Sequence, residues 1–263
     1  MSLIGRTTTP APIEVTLVRL ACRPVGKWAA KRVLLGRSLD RDHAAKGRIT
    51  RAHVDRILAR TWQNYDQLAP RAQVDRLQTR GNRQNVLLGV FSLAVYRALL
   101  AEGIEQRYAT ELVADLAWKV YENWVTVPRL IARLLRRDPQ EQMNLMLRMF
   151  LRFPFSRPGY DWRAHTEDGG LALDFYRCPV RDFLHSQGEE EFMLGTWCSL
   201  DFALAQVMVK GGRYERAHTL SAGDRVCDMK WYASEPQAAA GSDRERSPAT
   251  PARRENAETV SDS

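Results

Sequence analysis

Cys198 and Asp201 stand three residues apart at the head of the apolar run LDFALAQVMVK. If a helix starts at Ser199, Cys198 is at its N-cap and Asp201 is in its first turn. The positive end of the helix dipole favours a thiolate there, and the carboxylate is placed to orient a partner or take a proton. That pairing supplies a nucleophile and a proton carrier. The same residues also read as an ordinary helix start with an acidic first turn and a buried thiol.

Cys178 precedes Pro179 at the end of an alternating stretch, and Cys227 alternates with Asp228 near the end of the folded chain. Each reads most simply as a small buried hydrophobe. His165, His185 and His218 are the nearby histidines that could serve as the base of a Cys–His pair, or they are solvated. The four cysteines match no zinc spacing. No phosphate loop and no GxSxG elbow occurs, so neither a metal nor a cofactor is expected. Arg80, Asn82, Arg83 and Asn85 crowd the start of the most apolar helix. A helix N-terminus attracts anions and an arginine grips carboxylates, so this cluster is a candidate clamp for a small carboxylate. Capping by Asn82 is the plainer alternative.

These residues need elements to position them. Val54, Ile57, Leu58, Trp62, Tyr65 and Leu68 recur at threes and fours, predicting a helix from Thr50 to Leu68. NRQNVLLGVFSLAVYRALLAEG predicts a central helix, with Gly103 at its C-terminal cap. The stretch from Gln106 to Arg137 is helical in period with a break at Pro128. PQEQMNLMLRMFLRF adds a helix whose methionines suit a core. SRPGYDWRAHTEDGG reads as a polar loop and LALDFYR as a strand that Pro179 stops. RYERAHTL, SAGD and RVCDMKWYA read as a hairpin. Helices first and an antiparallel sheet later, with the Leu200 helix packed on it, is the α+β class.

The chain has 263 residues and 44% hydrophobic content, enough for one substantial core. Residues 1–83 carry 17 Lys/Arg against 6 Asp/Glu, a local excess of +11, while the remainder nets −3. Residues 1–47 therefore read as a basic N-terminal extension, with a short amphipathic helix broken near Pro24 and Gly26. That helix either lies on an anionic membrane surface or packs on the main body, and its charge fits a solvated face, not a specific nucleic-acid reader. Residues 48–233 form the main domain. The stretch 234–263 lacks aromatic residues and reads as a disordered tail. No secretory signal is evident. The longest apolar stretch, Val86 to Tyr96, is about half of the roughly 20 residues a span needs. Reduced thiols in the cytoplasm are the expectation.

Read together, several motifs resemble the L-2-amino-thiazoline-4-carboxylic acid hydrolase family over roughly residues 80 to 232. They are the Asn/Arg-led helix ending in YRALLAEG, the RCP of Arg177 to Pro179, the CSLD of Cys198 to Asp201, and RAHTLSAGDRVCDM. The last is the most specific, with Arg216, Thr219, Leu220, Gly223, Cys227 and Asp228; Met229 departs from the usual aromatic residue. The resemblance implies a cytosolic hydrolase of non-peptide C–N bonds, opening a small cyclic amidine or thiazoline-like ring. Cys198 and Asp201 are then the catalytic candidates. Arg80, Asn82, Arg83, Cys178, Arg216, Thr219 and Cys227 are the substrate-binding candidates, and the partner is a small-molecule substrate, with carboxylates among the candidates. The alternative is a non-catalytic domain that binds or senses a metabolite in the same pocket.

Overall fold

A computed structural model describes residues 11–167 and 169–233. Within them nine α-helices and four strands occur, and every strand follows the sixth helix. The architecture is α+β, with the order that the hydrophobic periods imply. The stretch 234–263, read as a disordered tail, lies outside the described residues.

The first helix departs from expectation. α1 (Ala11–Val33) runs unbroken through Pro24 and Gly26. Proline cannot donate to the Leu20 carbonyl, but Leu20 and Pro24 are both exposed, so water can reach that carbonyl. Gly26 is needed for close approach: a Cβ there would stand 2.9 Å from Phe91 Cζ. Ala29, Ala30 and Leu34 are buried in the helical core. The buried Glu14 pairs with Arg83 at 3.3 Å. Of the two placements open to it, α1 takes the one against the main body, where it forms a wall. Its basic residues face solvent and hid the small apolar residues that pack inward.

α2 (Arg51–Leu68) begins as expected, with a reciprocal cap between Thr50 and His53. α3 (Arg80–Ala101) is capped by Thr79, whose Oγ1 accepts the Asn82 N–H at 3.3 Å. Asn82 is thus not the cap. α3 is apolar around most of its circumference, as a central helix must be. By length and composition it could cross a membrane, but 67% of that apolar window is buried inside the protein. Gly103, at φ +80°, turns the chain after it.

α4 (Gln106–Trp124) and α5 (Thr126–Leu135) divide at Val125. Pro128 lacks the N–H that would continue α4, and it fits the first turn of the next helix. α6 (Pro139–Arg152) starts at Asp138, whose carboxylate accepts the Glu141 N–H at 2.8 Å. Its Met143 and Met146 are fully buried, so the methionine face is core.

The stretch read as a polar loop contains β1 (Asp161–Glu167), paired antiparallel with β2 (Gly170–Arg177). β1 is an edge strand with most of its side chains in water, so no apolar alternation marks it. Pro179 ends β2 and also opens α7 (Pro179–Ser186), which is followed by α8 (Glu190–Gly195) and α9 (Leu200–Met208). β3 (Arg213–Arg216) and β4 (Cys227–Tyr232) pair antiparallel as the expected hairpin. The sheet order is β1-β2-β4-β3.

Two apolar cores result. One is formed mainly by α1 to α4 with α7 and α8, the other by the sheet with α6 and α9. Cys178 packs against both. The space between the two cores holds the site.

Candidate active site

The chain from β3 to β4 folds around its own carboxylates. Asp228 accepts the N–H groups of Ala217 and His218 at 3.0 and 2.6 Å, and its other oxygen meets His218 Nδ1 at 2.8 Å. Asp224 accepts the Thr219 N–H at 2.8 Å. Cys227 Sγ takes the Leu220 N–H at 3.2 Å and contacts Thr219 Oγ1 at 3.4 Å. Gly223 adopts φ +94°, which an L-residue with a side chain resists. The motif RAHTLSAGDRVCDM is thus a self-braced loop. It delivers Arg216, Leu220, Ser221 and Cys227 to the gap between the two cores.

That gap is a cavity of about 410 Å³. Arg216, Asp201, Ser221, Cys198 and Cys227 line it on the side of α9 and the braced loop. Residues of α1 to α4, among them Val18, Ala29, Ile57, Leu88 and Val113, supply a broad apolar wall. Tyr160 and Asn85 also line it, joined by the Asn85 Nδ2 donation to the Tyr160 hydroxyl at 2.9 Å. All four cysteines of the chain, Cys22, Cys178, Cys198 and Cys227, border this one space.

The sequence candidates divide accordingly. Cys198, Asp201, Cys178, Arg216 and Cys227 come together around the cavity. Thr219 lies behind Cys227 and supports it. Arg80, Asn82 and Arg83 do not line the cavity. Arg80 is exposed. Asn82 donates to the carbonyls of Pro154 and Ser156, both at 3.0 Å, tying α3 to the loop before β1. Arg83 is engaged by Glu14 and the Leu77 carbonyl. Asn82 and Arg83 thus serve as a structural joint at the start of α3, Arg80 stands apart from it in water, and Asn85 is the member of the cluster that reaches the cavity.

No histidine lines the cavity. His165 lies beside Glu167 and Asp174, His185 beside Glu190, and His218 beside Asp228. Among the described residues, no group of three His, Cys, Asp or Glu side chains is placed to hold a metal ion.

Electrostatics separate the two catalytic candidates. α9 begins at Leu200, so Cys198 sits in the short 3₁₀ turn before it rather than at the cap. Burial pushes its thiol up, against the opposing influence of Ser221 and Arg216. The thiolate expected at a helix start is therefore disfavoured: loss of water outweighs the pull of Ser221 and Arg216. Its sulfur lies 3.4 Å from Ser221 Oγ. Burial likewise raises Cys178 to about 12 and Cys22 to about 11.

Asp201 is the group poised near neutrality. Burial pushes its carboxyl up to about 7, while Arg216 and the Tyr214 hydroxyl pull it down. Tyr214 donates to Asp201 Oδ2 across a long 3.5 Å, and Arg216 Nη1 stands 3.8 Å from the same oxygen. Such a carboxyl can exchange protons at physiological pH.

The family model described as L-2-amino-thiazoline-4-carboxylic acid hydrolase matches residues 91–231, more than half of the chain. The chain belongs to this family. The match contains Cys178, Cys198, Asp201, Arg216 and Cys227, hence most of the polar lining. α1 and α2, which wall the apolar side, precede it. No curated protein and no solved structure matches the chain.

The sequence reading missed Tyr214 and Ser221. Tyr214 had a signal: two residues from Arg216 on a strand, it must share that residue's face. Ser221 had none, because its place depends on the braced turn. The apolar wall from α1 is hard to read in sequence, because its small inward residues Ala29 and Ala30 sit among basic ones.

Proposed function

We propose that this protein hydrolyses a C–N bond in a small ring of the cyclic amidine or thiazoline type, with Asp201 as the proton carrier. The observation that carries this is a half-buried carboxyl, 22% exposed, held near neutrality at the edge of a cavity and beside an arginine side chain that is only 9% exposed. Ionised Asp201 takes a proton from water as the oxygen adds to the C=N carbon. Asp201 hands that proton to the ring nitrogen, which receives the electron pair of the C=N bond. The new hydroxyl then gives up its own proton through Asp201 to the same nitrogen as the tetrahedral carbon expels it, so the C–N bond breaks and the nitrogen leaves as an amine holding both protons of the water. The carbon keeps the new oxygen as a carbonyl, so substrate plus one water equals the opened product. Arg216 holds a substrate carboxylate or the developing oxyanion. Cys198, with its raised thiol, shapes the wall beside Ser221 rather than attacking.

Family membership supports the hydrolase class; the site supports water activated by Asp201. The test is incubation with cyclic amidines, thiazolines and lactams, followed by mass spectrometry for the gain of one water. Turnover that persists undiminished in Asp201→Asn would remove Asp201 from the mechanism. The predominance of apolar side chains in the lining favours a second reading, binding without turnover. Tight binding of such a ring with no product would establish it.

A further inference from the structure

The cavity is far more apolar than the head of a small polar ring requires. Asp201 and Arg216 face each other on one side, Arg181 is the other charged side chain of the lining, and Thr61, Gln84, Asn85 and Ser92 add single polar groups to a wall that Val18, Ala29, Ile57, Leu88 and Val113 keep apolar across four helices. Cavities of this size take ligands comparable with whole drug-like molecules, and they are lined by the chemistry of what fills them. Exposed Val25 on α1 and Trp124 at the end of α4 also line the space, so it reaches the surface between apolar side chains.

Arg216 is the second, independent observation. Its side chain is only 9% exposed, yet Nη1 makes no hydrogen bond among the described residues. Its nearest anion is Asp201 at 3.8 Å, too far to satisfy the N–H geometrically. A buried guanidinium N–H left unbonded is costly, and it lines the cavity.

We infer that the ligand of this cavity is an amphiphile: a carboxylate-bearing head on Arg216 and an extended apolar body along the wall built by α1 to α4. Where this ligand is the substrate, the inference rests on the hydrolase reading and adds the apolar body to the substrate class. The binding itself does not depend on turnover.

The test uses the full chain and two series of probes, straight-chain monocarboxylates from hexanoate to tetradecanoate and the matching primary alcohols, by isothermal titration calorimetry. Each added methylene should tighten carboxylate binding roughly three- to fourfold until the wall is filled. Arg216→Met should weaken the carboxylates about tenfold or more and leave the alcohols nearly unchanged. Ala117→Phe on α4, or Ala21→Phe on α1 should the first misfold, should shift the preferred chain to a shorter one, since both residues line the cavity. Affinity that does not grow with chain length, or an equal loss for acids and alcohols in Arg216→Met, would overturn the inference. Ring hydrolysis without any such binding would overturn it while leaving the hydrolase reading standing. Binding without hydrolysis would do the reverse.

Discussion

Arg216 Nη1 and Asp201 Oδ2 face each other at 3.8 Å without a hydrogen bond between them. The pair attracts but does not fuse into a closed ion pair, so each keeps capacity for a substrate. Burial wins over that attraction and holds the Asp201 carboxyl near 7. Tyr214, Arg216, Cys198 and, from α4, Tyr121 are the ionisable groups that sense it. Turnover should therefore rise with pH through about 7 and then level off, as a base in its ionised form requires. Asp201→Asn should lower turnover by about 10²-fold or more. A pH–rate profile that stays flat across neutrality would exclude this role.

The same carboxyl makes a stability prediction with a definite sign. Its native value, about 7, lies above the unfolded value, about 4. Between those limits the native state binds more protons than the unfolded one. Stability should fall as pH rises across that window, by about 2–4 kcal/mol for this group. Asp201→Asn should remove that slope and be the more stable protein above pH 7. Urea unfolding of both proteins at several pH values measures it; parallel slopes would mean that the carboxyl is not buried.

Cys198 should behave as wall and not as nucleophile. Cys198→Ala should retain turnover within about tenfold and cost about 1 kcal/mol of stability. The native thiol should react slowly with iodoacetamide at neutral pH, because burial raises it. Rapid single-site alkylation together with loss of turnover would restore the nucleophile reading.

Helices with capping residues and strong periods were legible from sequence. Thr50 and the stripe from Val54 to Leu68 define α2, and the apolar run after Thr79 defines α3. β1 was not legible, because Arg163, Ala164 and His165 all face water on an edge strand and leave no alternation. α7 and α8 are too short to show a period. At the site, Cys198, Asp201 and Arg216 stood out as reactive or charged groups against apolar or hairpin sequence. The misplaced candidates, Arg80, Asn82 and Arg83, carried the right chemistry for an anion. Only the packing of α1 and of the loop before β1 shows that Asn82 and Arg83 are already engaged.

Asp228 should act on the site at a distance. It lies on β4 and holds the Ala217 and His218 N–H groups, which fixes the chain just after Arg216. Asp228→Ala removes both bonds and should cost about 1–3 kcal/mol. Its readout should include weaker substrate binding, because Arg216 loses its fixed backbone, with Asp228→Asn partly restoring it through its remaining carbonyl oxygen. Equal loss in both variants would make the charge, not the brace, the important feature.

α1 should prove indispensable, contrary to its appearance as an extension. Three contacts argue for it: Ala29 and Ala30 are buried in the helical core, Glu14 pairs with Arg83, and Gly26 admits Phe91. A side chain at 26 must displace that ring or push α1 outward, and overpacking of this kind costs about 1–3 kcal/mol. For a chain of this length Gly26→Val should then lower the melting temperature by roughly 3–10 °C. Gly26→Ala should do less, since its single methyl meets only the far edge of the Phe91 ring. Deleting residues 1–33 removes the α1 wall and bares the faces of α3 and α4 that it covers. That protein should lose its cooperative unfolding transition, followed by circular dichroism on heating. A deletion variant that melts as cooperatively as the full chain would show that α1 is an appendage after all, and the cavity would then lose the wall on which its apolar character rests.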